Sequence, residues 1–128
     1  MTEFRFLEEQ SPQRIDLGDW ALRLAVAALF VMFGWDKFPS DPHSEWVRIF
    51  EQIGVGQWFR YFTGVVEIGG GLLVLLPRTA LAGFATLSVT MFGAFLAHMV
   101  VLHDGFLALV PAALCAALSV IVCQRWAG

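Results

Sequence analysis

The stretch TALAGFATLSVTMFGAFLAHMVVL, Thr79–Leu102, holds a single ionisable side chain, His98. Its length exceeds the ~20 apolar residues that cross a bilayer. A helix that is apolar all round sits in a large core or in lipid. The chain has only 128 residues, of which 58% are hydrophobic and 15% charged. Soluble domains carry about 25% charged residues, so the polar skin of a soluble globule is missing. The stretch is therefore read as a transmembrane helix.

Three further apolar runs flank it, at about 20–38, 57–76 and 106–125. Together with 79–102 they predict an all-α membrane protein, a four-transmembrane-helix antiparallel bundle over 17–126, preceded by a polar tail over 1–16. Ser11-Pro12 reads as a turn in that tail, and Asp16 or Asp19 as the N-cap of the first span. Residues 1–19 lack an apolar stretch, so no cleavable signal peptide is expected. Pro77-Arg78 and His103-Asp104-Gly105 are hairpin connections. The first connection is longer. Within it Trp46, Ile49, Phe50 and Ile53 fall at i, i+3, i+4 and i+7, an amphipathic helix expected in the headgroup layer; packing against the bundle is the alternative.

Four spans place both ends of the chain on one side. Arg5, Arg14, Arg78 and Arg125 lie on that side, against Lys37, Arg48 and Arg60 on the other. The excess orients both termini to the cytoplasm of a multi-pass cell-membrane protein. The net charge of −3 and the absence of a basic stripe exclude nucleic acid as a partner. Trp20, Trp35, Trp46, Trp58, Tyr61 and Trp126 cluster near span ends, as aromatic belts do. Small residues four apart (Ala21/Ala25, Gly93/Ala97, Ala112/Ala116, Ala113/Ala117) and Gly69-Gly70-Gly71 are read as helix-packing positions.

Ionisable groups inside a bilayer cost about 2.5–3.5 kcal/mol each on insertion scales, so each needs a partner or a task. Glu67 lies mid-span between Val66 and Ile68. Arg23, with its long stem, is the expected partner, within direct or one-water reach. On the first span Arg23, Ala27, Phe30, Gly34 and Lys37 form one helical stripe, with Lys37 snorkelling at its end. His98 lies near the same end as Lys37. His43 and His103 could gather with it, but no Cys or carboxylate stands at metal-ligand spacing and no metal site is expected. Cys115, Ser119 and Cys123 share a face read as small polar packing, and Pro111 is expected to kink its helix. The two cysteines are about 12 Å apart along a helix and cannot bridge.

Arg23, Gly34-x-x-Lys37-Phe38, Glu67-x-Gly69-Gly70 and Pro77-Arg78-Thr79, on a four-span chain, resemble the DoxX family over Leu17–Trp126. By position, Arg23, Lys37, Glu67 and Gly70 match the family pattern. The resemblance implies kinship with a subunit of thiosulfate:quinone oxidoreductase and with quinone or catechol detoxification. No thiol pair like a thiosulfate-handling site is present, so that substrate is not carried over. The expectation is a quinone-linked membrane subunit, possible as part of an oxidoreductase, with quinone as the candidate ligand. Its contacts would be the lipid bilayer, a soluble redox partner and other copies of itself. A non-catalytic anchor for a soluble redox protein and a small-solute or proton-coupled carrier are the alternatives. In the quinone reading, Lys37 and His98 donate to ring carbonyls, Trp35 and Phe95 wall the ring, and Gly69 and Gly70 leave room beside it.

Overall fold

A computed structural model describes residues 16–103 and 105–127. The tail with Ser11-Pro12, Arg5 and Arg14 falls outside the described residues, and so does Asp104. Among the described residues all regular structure is helical: α1 Leu17–Trp35, α2 Glu45–Ile53, α3 Gln57–Leu75, α4 Ala80–Leu96 and α5 Leu109–Ala127. One π-helical turn, Ala97–Val101, extends α4. α1, α3, α4 with its π turn, and α5 are each long and apolar enough to cross a membrane. The protein is a multi-pass integral membrane protein, and α2 lies between the first two spans, where the amphipathic pattern placed it.

Asp16 caps α1, its Oδ1 accepting from the Asp19 N–H at 3.2 Å. The helix ends at Trp35, three residues before the expected bound. Lys37 therefore sits in the following turn, its N–H donating to the Gly34 carbonyl. α5 begins at Leu109, later than expected, which puts Pro111 in the first turn. There its missing N–H has no intrahelical acceptor to lose, so the expected kink has no cause.

Consecutive spans run antiparallel. The start of α1 and the end of α5 share one end of the bundle with the 76–79 hairpin (the terminal end), where Asp19 pairs with Arg125. α2 and the described residues of the last connection, 102–103 and 105–108, occupy the distal end. The predicted small-residue pairs do not carry the packing: Ala21, Ala25, Ala113, Ala116 and Ala117 are exposed, and a Cβ on Gly93 would meet nothing within 4 Å. Two glycine crossings do. A Cβ on Gly34 of α1 would come 2.6 Å from the Gly64 carbonyl of α3, and one on Gly83 of α4 would come 2.8 Å from that of Gly70. Backbones touch there because no side chain intervenes. Below them Phe30, Val74, Phe84, Leu87 and Leu118 form a closed core.

The outer surface is inverted relative to a soluble protein: Leu24, Met32, Val65, Leu72, Val89, Phe92 and Val120 are all more than half exposed. Lipid is the solvent that such a surface suits. Polar groups within the spans satisfy one another instead. Thr63, Thr86 and Thr90 donate to carbonyls four residues back, and Ser88 and Ser119 join α4 to α5 at 2.7 Å.

Candidate functional site

The α3 residues turned inward are Arg60, Gly64, Glu67, Gly70, Gly71 and Val74, a helical stripe with a cation and a carboxylate two turns apart. Opposite them on α1 lie Arg23, Ala27, Phe30 and Gly34, followed by buried Lys37. Because Gly34 sits against Gly64, the end of α1 is level with the middle of α3. Lys37 Nζ then donates to both Glu67 oxygens, at 2.9 and 2.8 Å, with both residues about 97% buried. Nζ also lies 3.4 Å from the Phe33 carbonyl and 4.0 Å from the Trp46 ring centroid.

This corrects two expectations. Lys37 does not snorkel out, and Glu67 is not the partner of Arg23. Arg23 is eleven residues before Gly34, about 16 Å away along the helix axis. It finds nearer partners instead: an ion pair with Asp19 one turn back, 3.1 Å from Nε, and a hydrogen bond to the Leu75 carbonyl at 3.0 Å, where α3 ends and its dipole is negative. Its guanidinium also covers Trp20. Asp19 further pairs with Arg125, so this network laces α1, α3 and α5 together at the terminal end.

Arg60, which the sequence reading counted only as an interfacial charge, is 98% buried and organises the distal end. It donates to the Lys37 and Pro39 carbonyls, to Gln57 Oε1 at 2.7 Å and to the Tyr61 hydroxyl at 3.1 Å. Tyr61 in turn meets Ser40 at 2.6 Å. The guanidinium thus clamps the 37–40 turn onto α3 and fixes where Lys37 emerges. Its signal was in the sequence: Arg60 and Glu67 are seven residues apart, hence on one face.

Beside the Lys37–Glu67 pair is a cavity of about 490 Å³, within the range of small-molecule sites. α3 and α4 touch at Gly70/Gly83 and part toward the distal end. The cavity fills this widening, roofed by Trp46, Ile49, Phe50 and Ile53 of α2. The apolar stripe of α2 is therefore turned onto the bundle. Gln57 Nε2 holds that helix through the Val47 carbonyl at 3.1 Å. Phe33, Phe59 and Met91 add apolar wall; Thr63, Thr90, Glu45 and His98 add polar groups. Phe62, Gly93 and Val110 both line the cavity and are exposed, so it opens sideways through the apolar flank of the bundle.

Of the other predicted site residues, His98 lines the cavity, from the π turn. Trp35 does not: it is 69% exposed and packs on Phe38. Phe95 and Gly69 both lie off the lining. Gly70 is consumed by the α3–α4 crossing. Trp35 and Phe95 were expected as walls; Trp35 turns outward, Phe95 is half-buried off the lining, and Trp46 and Phe33 line the cavity instead.

No curated protein and no solved structure matches the chain. A family model, that of the DoxX-like family, matches residues 21–122, a segment that contains all four spans' inward stripes, the Lys37–Glu67 pair and the cavity. The chain belongs to the DoxX-like family.

Proposed function

We propose that the protein is a quinone-binding membrane subunit of a redox system, and that the distal cavity holds the quinone ring. The observation that carries this reading is an apolar cavity, open on the lipid-facing flank, with a buried Lys–Glu pair in its wall. A lipid-borne ring enters such a site without crossing water, while its tail stays in the acyl layer. Reduction of a quinone to a quinol takes up two electrons and two protons. The chain's share is to bind the ring and to hold protons on Glu67 and Lys37; the electrons pass between ring and a soluble redox partner.

All three Lys37 donor directions are already engaged, two by Glu67 and one by the Phe33 carbonyl. Lys37 therefore serves the site through Glu67 rather than as a free donor to a ring carbonyl. A carrier needs a route to the terminal end, where Phe30, Phe84, Leu87 and Leu118 fill the bundle; this favours binding over transport. A pure anchor has no use for the cavity.

Trp46 is the tryptophan in the lining, which makes the test direct. With Trp20, Trp35, Trp58 and Trp126 replaced by Phe, a short-chain quinone should quench Trp46 fluorescence saturably. Only linear, collisional quenching would leave the protein as an anchor.

A further inference from the structure

His98 occupies the one π-helical turn among the described residues, Ala97–Val101, closed by the Leu102 N–H donating to the Ala97 carbonyl at 3.0 Å. The turn ends α4 rather than interrupting it, as π turns at helix C-termini do. The turn falls where α4 leaves α3 and lines the cavity with Ala94, Ala97 and His98. Among the described residues neither imidazole nitrogen has a hydrogen-bond partner, and Nδ1 is buried. Every other charged or titratable lining group in the apolar part of the cavity is paired, Lys37 with Glu67 and the reverse. Glu45 sits exposed at the rim. A polar ring without a protein partner in the wall of an apolar cavity leaves its accessible nitrogen for a ligand to meet. With Nδ1 closed in by protein, Nε2 is the nitrogen left to face a ligand, and in the tautomer that carries its proton there it is a donor.

We propose that His98 is the headgroup-recognition residue of the cavity: it donates to a carbonyl oxygen of the bound ring and selects ring ligands bearing such an acceptor over plain aromatic hydrocarbons. This assignment rests on the ligand-binding reading above and names which side chain makes the polar contact. It separates His98, which touches the ligand, from Lys37, whose donors are spent within the protein.

The test compares duroquinone with durene, the same ring without carbonyls, on the full chain in mild detergent with Trp46 as sole tryptophan. Duroquinone binding is read from quenching, and durene binding from reversal of that quenching. Wild type should prefer duroquinone by about fivefold to tenfold, the worth of one hydrogen bond. His98→Leu should erase that preference while durene binds as before, which shows the cavity intact. His98→Gln, whose amide still donates, should restore most of it. Saturable duroquinone binding with the preference unchanged in His98→Leu would overturn the assignment and leave the quinone reading standing. Equal binding of both rings by wild type would do the same. Failure of wild type to bind either ring would overturn both. If His98→Leu binds neither ring, His98→Gln decides: wild-type behaviour supports the contact, and loss there too refutes it.

Discussion

Replacing Glu67 by Leu removes the acceptor of two hydrogen bonds, 2.9 and 2.8 Å long, from an ammonium that is itself about 97% buried. What remains around Nζ is one carbonyl at 3.4 Å and the face of Trp46. Removing one member of a buried ion pair costs about 3–5 kcal/mol, because the other charge is left uncompensated. Lys37 lies at the distal end and its stem can carry the charge toward the interface, so the lower part of that range is expected, about 3 kcal/mol. Glu67→Gln keeps one acceptor oxygen for Nζ and should lose less, about 1–2 kcal/mol. The double variant Lys37→Met/Glu67→Leu removes both charges for apolar groups of similar size and should recover most of the loss. With the Lys37→Met single variant closing the cycle, steric-trap unfolding in bicelles measures all five proteins on one scale. The coupling energy of the cycle should be at least 2 kcal/mol in favour of the pair. A double variant no more stable than Glu67→Leu alone, or a Glu67→Leu protein as stable as wild type, would refute the pairing as the reason both residues are tolerated in the bilayer.

Other expectations follow from the same geometry. Gly34→Ala places a methyl 2.6 Å from the Gly64 carbonyl and should destabilise by about 1–3 kcal/mol, whereas Gly69→Ala meets open space and should be neutral or gain up to about 1 kcal/mol of helix propensity, both read by the same unfolding assay. Arg60→Met frees the Lys37 and Pro39 carbonyls; quinone affinity and hydrogen-exchange protection of the 37–40 turn should fall together, and protection unchanged would show that the clamp is dispensable. Cysteines placed at positions 18 and 127 should label from the same side of the membrane, the cytoplasmic one by the basic-residue bias; labelling from opposite sides would contradict the pairing of Asp19 with Arg125.

Much of this protein was decided by local composition. Apolar runs of bilayer length read as membrane spans, and the short breaks at Pro77-Arg78 and 103–105 make the last three of them antiparallel neighbours. On α1 the 3.6-residue period also picked out the inward side: Arg23, Ala27, Phe30 and Gly34 are buried along one stripe, and Lys37, expected to snorkel, is buried beyond them. The same rule applied to α2 found its stripe, though not what the stripe would cover. What the period cannot supply is axial register, because residues on one face of a helix look alike to a helix sliding along it. That quantity is set by where two backbones touch, at Gly34/Gly64 and Gly70/Gly83, and it is what brought Glu67 level with Lys37 and left Arg23, about 16 Å along α1 from the Gly34 crossing, beside Asp19. Charges in a membrane pair with what the crossing points place at their own depth. For that reason the cavity, its lining by Trp46 rather than Trp35, and the unpaired ring of His98 belong to the tertiary structure alone.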